Sequence, residues 1–200
     1  MKINKLLLAS ASPRRAQLLA QLTSDFSCYA PEVDETPLVN EEVKDYVLRM
    51  AQSKAIAGYH WSLTQSTPAS LVLGSDTCGW FEGQILGKPE NAVQAKQMLQ
   101  SLSGKWHEIH TAIALFDGHE LRSKIVSSRV LFAELCEQLI NSYVASKEPL
   151  DKAGSYGIQG KGAALVQRLE GSYSAVVGLP LSELRQMLIE QGFDIWQEAL

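Results

Sequence analysis

The segment from Leu6 to Arg15 constrains the fold most strongly, because a short apolar run passes directly into a basic, serine-rich turn. The run from Ile3 to Ala9 predicts a buried strand, and the stretch from Pro13 to Leu22 predicts a helix with leucines on one face. Ser12 is the expected N-cap, and proline suits the first helical position. A strand that feeds a helix in this way is typical of an α/β fold.

The same turn carries groups that attract anions. Free backbone N–H groups and the positive end of the helix dipole are expected beside Arg14 and Arg15, whose guanidiniums bind phosphate well. Ser10 and Ser12 add hydroxyl groups. The turn therefore predicts a phosphate site, and the alternative left open by this segment alone is a capped surface helix with solvated arginines.

Composition limits the classes of protein and of partner that fit this chain. Its 200 residues are 46% hydrophobic and 20% charged, which suits one globular domain or one domain in two lobes. A net charge of -4 gives no general attraction for nucleic acid, which is therefore not an expected partner. Three dispersed cysteines favour a reducing cytoplasm. No apolar stretch is long enough to cross a bilayer, so no membrane partner is expected.

Apolar periodicity and turn residues predict strands and helices along the rest of the chain. Strands are predicted over Phe26–Ala30, Ser70–Ser75, Ile109–Phe116 and Leu121–Phe132, and a last hairpin is predicted to join Ala163–Leu169 to Tyr173–Val177. Helices are predicted over Glu41–Gly58, Asn91–Ser101, Glu134–Ser146 and Leu181–Gln191. Asn40 is the expected cap of the second helix. Antiparallel pairs mixed with helices favour an α/β fold with a mixed sheet over a Rossmann order.

Carboxylates occur at two places where they could serve chemistry. Asp76 follows a buried strand, so its side chain is expected at a sheet edge, where it could hold Mg²⁺ or orient a water. Glu32, Asp34 and Glu35 form an acidic cluster typical of a hard-cation site beside phosphates. The alternatives are a turn-forming aspartate and a solvated acidic loop.

Lysines and a glycine-rich loop supply further candidates for ligand binding. Lys54 on a helix face and Lys88 in a rigid turn could each neutralise phosphate charge. The three glycines of the loop at 151–160 permit close approach of backbone to a ligand. Gln159 can donate and accept, which suits the edge of a nucleobase, and Thr77 can add a hydroxyl contact. A purely structural Ω-loop is the alternative.

The residues alone leave two classes of function open. One is an enzyme that hydrolyses a nucleotide anhydride, and the other is a module that senses or binds nucleotide. The carboxylates favour the enzyme, because a pure anion binder gains nothing from negative charge beside phosphate.

These blocks resemble the Maf family of nucleoside triphosphate pyrophosphatases over nearly the whole chain. The matching stretches are Ala9–Arg15, Glu32–Glu35, Ala51–Ala55, Gly74–Thr77, Gly87–Pro89, Leu102–Gly104, Pro149–Gly160 and Gly171–Leu181. The resemblance implies the fold of the inosine-triphosphate pyrophosphatase group, an elongated mixed sheet with flanking helices and a central cleft. Residues 1–200 would then form a single domain, with two lobes around a nucleotide.

The resemblance also implies a reaction, a cofactor and an assembly. A homodimer would hydrolyse a nucleoside triphosphate to the monophosphate and pyrophosphate, with Mg²⁺ or Mn²⁺ as divalent cation. Asp76 would be the general base, and Glu35 and Asp76 would hold the metal. The triphosphate would be bound by Arg14, Arg15, Lys54 and Lys88.

Three positions separate two branches of the family. Arg14, Thr77 and Gln159 match the branch similar to dTTP/UTP pyrophosphatases, whereas the 7-methyl-GTP branch typically has Trp, Gln and Glu there. A glutamate accepts from the guanine edge, while a glutamine both donates to and accepts from a pyrimidine edge. In contrast, Glu32–Pro37 and Ala114–Phe116 read more like the 7-methyl-GTP branch.

The expected function is therefore hydrolysis of dTTP and UTP. Modified pyrimidine triphosphates are further expected substrates, since a pocket open at the pyrimidine 5-position cannot strongly reject a methyl group. The alternatives are a 7-methyl-GTP pyrophosphatase of the same family and a non-catalytic nucleotide-binding regulator of septum formation.

Overall fold

The structure is a computed structural model that describes residues 5–193 and 195–196. Its strands are β1 (Leu6–Ala9), β2 (Phe26–Tyr29), β3 (Leu71–Phe81), β4 (Gln84–Leu86), β5 (Trp106–Phe116), β6 (Leu121–Phe132) and β7 (Val166–Glu170). Its helices are α1 (Pro13–Leu19), α2 (Val43–Ser62), α3 (Ala92–Leu102), α4 (Glu137–Ala145), α5 (Tyr173–Val177) and α6 (Leu181–Glu190). Short 3-10 segments occur at Glu148–Asp151, Ala153–Ser155 and Lys161–Leu165.

The described strands form one mixed sheet, which confirms the predicted fold class. The strand order is β2-β1-β3-β5-β6-β7, with β4 paired to β3. β1 runs parallel to β2 and β3, whereas β4 is antiparallel to β3 and β7 is antiparallel to β6. Ala9, the last residue of β1, lies opposite Gly74 of β3. The turn after β1 is therefore level with the residues that follow Gly74.

The chain divides into two compact units, each with its own buried core. The first unit comprises Met1–Thr77, Thr111–Val126 and Gly178–Leu200, and the second comprises Cys78–His110 and Ser127–Val177. Buried residues of the first include Leu8, Met50 and Leu73, and those of the second include Leu99 and Phe132. A single domain with two lobes around a nucleotide stays a prediction.

Helix α2 differs from its predicted limits at both ends. It begins after Glu42 and runs past Gly58 to Ser62, whereas Asn40 precedes it with a left-handed φ of 59°. Gly58 lies inside the helix, at a point where a Cβ would come within 2.8 Å of the Ala9 Cβ. The glycine thus permits close packing of helix on strand rather than ending the helix.

The hairpin predicted at the end of the second unit is also wrong in part. Residues Tyr173–Val177 form helix α5 instead of a strand. The Ser172 Oγ accepts from the backbone N–H of Ala175 at 3.2 Å, so the serine caps the first turn. A local cap therefore overrides the β propensity of the valines.

Two further predictions concern the ends of elements and the membrane. The first predicted strand included Ile3, which lies outside the described residues, and α1 ends at Leu19 rather than Leu22. Within the described part of the chain, no helix has the length and apolar character that a bilayer span requires.

Candidate functional site

Helix α2 brings Lys54 to the middle of β3 through an unusually close helix–strand contact. The prediction that this strand ends before Asp76 is wrong, because β3 continues from Leu71 through Asp76 to Phe81. A Cβ on Gly74 would lie 2.1 Å from the Ala51 carbonyl oxygen and 2.7 Å from the Ala55 nitrogen. Because position 74 is a glycine with no Cβ, the α2 backbone can approach β3 this closely. Lys54 stands between the two contacting alanines in sequence, and Asp76 is two positions after Gly74.

Lys54 joins two carboxylates of the first unit. Its Nζ lies 2.7 Å from Asp76 Oδ1 and 2.7 Å from Glu35 Oε1. The side chains of Lys54 and Asp76 are only 12% and 14% exposed, whereas that of Glu35 is 60% exposed. An ammonium therefore occupies the point on which two carboxylate oxygens converge.

Helix α2 also fastens the loop that carries Glu35. Tyr46 Oη donates to the Glu35 carbonyl at 3.0 Å, and Arg49 Nη2 donates to the Thr36 carbonyl at 3.0 Å. Arg49 also binds both carboxylate oxygens of Glu41 and thereby lowers the pKa of Glu41 to about 2. Sequence reasoning missed these three side chains, since nothing in a helix-face pattern indicates which loop it will hold.

The acidic cluster predicted from the sequence divides in the structure. Glu35 contacts Lys54, but Asp34 Oδ1 accepts from the Thr36 backbone N–H at 2.9 Å. Hydrogen bonding to the side chain and the backbone of Thr36 lowers the pKa of Asp34. Asp34 thus shapes its own loop, and Glu32 is exposed. Among the residues that the structure describes, no three His, Cys, Asp or Glu side chains are grouped to hold a metal ion.

Arg15 links the turn after β1 to β3 and to the segment before α6. Its Nε donates to the Gly178 carbonyl at 3.0 Å, its Nη1 to Ser10 Oγ at 3.3 Å and its Nη2 to Thr77 Oγ1 at 3.3 Å. Burial lowers the pKa of Arg15, and the charge of Asp76 opposes that change. Much of the hydrogen-bonding capacity of this guanidinium is therefore used in holding the site together.

Ser75 and Gly178 form a second link that sequence reasoning did not assign. The buried Ser75 Oγ lies 3.0 Å from the carbonyls of both Ala112 and Gly178. The Gly178 carbonyl thus accepts from a serine of β3 and from Arg15. Thr111 Oγ1 donates to Thr77 Oγ1 at 3.1 Å, so the Thr77 oxygen accepts twice and its proton remains available to donate.

Ser12 and Arg14, the two remaining residues of the predicted anion turn, lie beside Ser10 and Arg15. Ser12 is the N-cap of α1 by position, but its side chain makes no cap bond, contrary to expectation. Instead its backbone N–H donates to Ser10 Oγ at 3.1 Å. Arg14 is half-buried, and its charge acts on Arg15. Thus the first unit contains all the predicted site residues except Lys88 and Gln159.

Lys88 and Gln159 are exposed residues of the second unit. The Gly154 backbone N–H donates to the Gly87 carbonyl at 3.0 Å, so the turn that carries Lys88 is bonded to the glycine-rich loop. Gly154 has a φ of +68° and packs against Leu86. The loop and the lysine turn therefore form one hydrogen-bonded structure.

Comparison with known proteins identifies the family to which this chain belongs. The profile of the family described as Maf-like protein matches residues 5–191. The chain therefore belongs to the Maf-like protein family, as the resemblance predicted.

Several relatives match almost from end to end. A dTTP/UTP pyrophosphatase of Shewanella sp. (strain MR-7) is 49% identical over 192 residues, covering 94% of this chain and 98% of the relative. A dTTP/UTP pyrophosphatase of Vibrio vulnificus (strain YJ016) is 46% identical, with 94% and 99% covered. That of Bacillus cereus (strain AH820) is 44% identical, with 96% and 98% covered. Among solved structures, the Ham1 protein of Staphylococcus aureus aligns with a TM-score of 0.49 at 11% identity, covering 94% of this chain and 99% of its own.

Proposed function

We propose that this chain is a hydrolase that converts dTTP and UTP to the monophosphate and pyrophosphate. Support for the substrate class comes from relatives of that name, which are 44–49% identical over nearly the full chain. Support for catalysis comes from one observation in particular. Asp76 is largely buried at the end of a close-packed helix–strand contact, and its carboxylate is bound by Lys54 through a single oxygen.

The proposed reaction begins with a proton transfer from water to Asp76. Lys54 holds Oδ1, and Oδ2 makes no hydrogen bond to any described residue, so Oδ2 is the oxygen available to take the proton. The water oxygen would form a bond to the α-phosphorus as the bond from that phosphorus to the bridging oxygen breaks. Pyrophosphate leaves with the electron pair of that bond.

The residues present fit a divalent cation of the Mg²⁺ or Mn²⁺ type. One carboxylate oxygen of Glu35 and one of Asp76 converge on a single point. Lys54 Nζ lies at that point, 2.7 Å from each of the two oxygens. Mg²⁺ is commonly bound by one or two carboxylates, with water and substrate phosphates completing its shell. When bound, such an ion would neutralise phosphate charge and polarise the phosphoryl oxygens.

Charge on the triphosphate would be neutralised by Arg14, Arg15, Lys54 and Lys88. In this proposal Arg14 makes the more direct contact of the two arginines, because Arg15 already donates to three protein oxygens. Ser10 and Ser12 supply hydroxyl contacts at the same turn. Thr77 and Gln159 would read the base, with the exposed Gln159 amide facing the pyrimidine edge.

The proposal includes a homodimer in the cytoplasm. Family resemblance supports the dimer, and sedimentation equilibrium of the purified chain tests it. The location is supported by the three cysteines, Cys28, Cys78 and Cys136, which are dispersed along the chain and odd in number, as suits a reducing compartment.

The test is pyrophosphate release with Mg²⁺ or Mn²⁺ across dTTP, UTP, 7-methyl-GTP, GTP, ATP and CTP. Asp76→Asn serves as the inactive control, because its amide cannot accept the proton. We expect turnover of dTTP and UTP that falls by about 10³-fold in the variant. Glu137→Gln, which alters an exposed carboxylate of α4, should match the unaltered protein.

Two outcomes would overturn parts of this proposal. Turnover confined to 7-methyl-GTP would retain the pyrophosphatase reaction and overturn the pyrimidine assignment. Absence of turnover on every nucleotide, with nucleotide binding retained, would favour a non-catalytic regulator instead.

A further inference from the structure

Glu148 of the second unit is a half-buried carboxylate that accepts hydrogen bonds from one loop and from helix α4. Its Oε1 accepts from the Gly162 backbone N–H at 3.0 Å and from Tyr143 Oη at 3.1 Å. Its Oε2 accepts from the Lys161 backbone N–H at 3.1 Å. Burial opposes ionisation here, but these donors outweigh it, so the pKa of Glu148 lies below its ordinary value. The carboxylate is therefore a charged acceptor for backbone groups.

Tyr143 extends this set of hydrogen bonds to the other end of the loop. Its buried hydroxyl accepts from the Gly157 backbone N–H at 3.3 Å while donating to Glu148. Residues 157–162 are consequently held at both ends by one carboxylate, directly at one end and through Tyr143 at the other. Gln159 lies between the two attachments.

The glycines of this loop pack against the chain itself. A Cβ on Gly162 would lie 2.4 Å from the Gly157 carbonyl oxygen and 2.6 Å from Tyr143 Oη. A Cβ on Gly160, whose φ is +96°, would lie 3.1 Å from both Glu148 oxygens. These glycines therefore allow the backbone to approach Glu148 and Tyr143, which is a different role from approaching a ligand.

We propose that Glu148 is a positioning residue for base selection, which fixes the backbone of residues 157–162 and so the orientation of the exposed Gln159 amide. The proposal rests on the proposed function, in which Gln159 reads the base. A glutamine amide that is free to rotate can pair with either a uracil or a cytosine edge, because it carries both a donor and an acceptor. Discrimination between the two bases therefore requires a fixed loop.

The test is the ratio of kcat/KM for UTP to kcat/KM for CTP in Glu148→Gln. The variant keeps the size of the side chain but loses its charge, and its NH₂ group faces one of the loop donors. We expect this ratio to fall by about tenfold, mainly through a higher KM for UTP, because base contacts are remote from the reacting phosphorus. The ratio does not depend on the fraction of active protein, so partial misfolding cannot imitate the effect.

Two companion variants complete the experiment. Tyr143→Phe removes the hydroxyl that donates to Glu148 and accepts from Gly157, but it keeps the Glu148 carboxylate with its two backbone donors. It should therefore lower the same ratio by a smaller factor, and it tests the proposal if Glu148→Gln does not fold. Glu137→Gln, an exposed glutamate of the same unit, should leave the ratio unchanged. An unchanged ratio in Glu148→Gln, or in Tyr143→Phe if only that variant folds, overturns the positioning role alone. An unaltered protein without turnover of UTP overturns both proposals.

Discussion

The carboxylates of the two units have different kinds of hydrogen-bond donor. In the first, Asp76 and Glu35 share one side-chain partner, the Lys54 ammonium. In the second, Glu148 is bound by backbone N–H groups of Lys161 and Gly162. A lysine side chain can turn away when a ligand offers better partners, whereas backbone donors cannot leave without unfolding their loop. The first arrangement therefore suits exchange with substrate and cation, and the second suits a permanent support.

The largest expected effect tests whether the Lys54 ammonium can leave the carboxylates of Glu35 and Asp76 when substrate and a cation bind. Lys54→Met should lower kcat by about 10³-fold, because a cation close to the developing charge is lost. In the absence of nucleotide, the same variant should bind Mn²⁺ more tightly, since Nζ no longer competes for the two carboxylates. Electron paramagnetic resonance of free Mn²⁺ measures this directly. Lys96→Met, which breaks the exposed pair with Glu137, should change neither quantity; weaker Mn²⁺ binding in Lys54→Met would contradict the idea of competition.

The next prediction concerns the close contact that positions Lys54. Gly74→Ala should lower the free energy of unfolding by about 3 kcal/mol, because its Cβ would meet the backbone of α2. Gly87→Ala is the matched control, since a Cβ at Gly87 has no atom within 4 Å. Urea unfolding of both variants gives the comparison. Equal midpoints would show that α2 tolerates displacement from β3.

A comparable effect is expected from pH in the second unit. His107 is buried, and its Nε2 lies 2.7 Å from the hydroxyl of Tyr156. Burial lowers the pKa of His107 from 6.5 to about 4, so the folded protein resists a proton that the unfolded chain accepts. Stability from this group is complete above pH 6.5 and falls by about 3 kcal/mol as the pH drops to about 4.

Chemical unfolding at pH 7 and pH 4.5 measures this dependence. His107→Gln should lose less stability than the unaltered protein over that interval. His119→Gln, which changes an exposed histidine, should behave like the unaltered protein. Parallel losses in all three proteins would exclude His107 as the source.

The smallest expected effect tests whether the Gln159 side chain recognises the base. Gln159→Glu should shift the ratio of UTP to 7-methyl-GTP turnover by about tenfold toward 7-methyl-GTP, because a carboxylate accepts from the guanine edge. The exposed Gln138 offers a matched control as Gln138→Glu. An unmoved ratio would remove Gln159 from base recognition.

Local patterns in the sequence predicted much of the fold. The helix predicted from Asn91 is α3, and the Asn91 side chain caps it by accepting from the backbone N–H groups of Val93 and Gln94. The error at Gly58 has a different origin, since its role depends on contact with Ala9, far away along the chain. Likewise, the strand predicted at residues 173–177 became a helix through the Ser172 cap.

The candidate site was predicted unevenly for the same reason. Asp76, Lys54 and Glu35 stand in motifs that carry charge, and the structure places them in contact. The supporting groups are ordinary residues whose importance arises from distant partners, such as Arg49 on the Glu35 loop or Gly178 beside Arg15. Their partners are fixed only by tertiary packing, which spacing along a sequence does not encode.

The carbonyl of Gly178 sets an order of assembly during protein synthesis. Arg15 and Ser75 both bind it, and Arg15 precedes it by 163 positions. A ribosome therefore delivers the arginine turn and β3 long before their shared acceptor has been translated. Nascent chains and fragments cut short before Gly178 would hold these side chains without their anchor. The anion-binding turn, although it is translated well before its acceptor, can complete its hydrogen bonds only after Gly178 has been made.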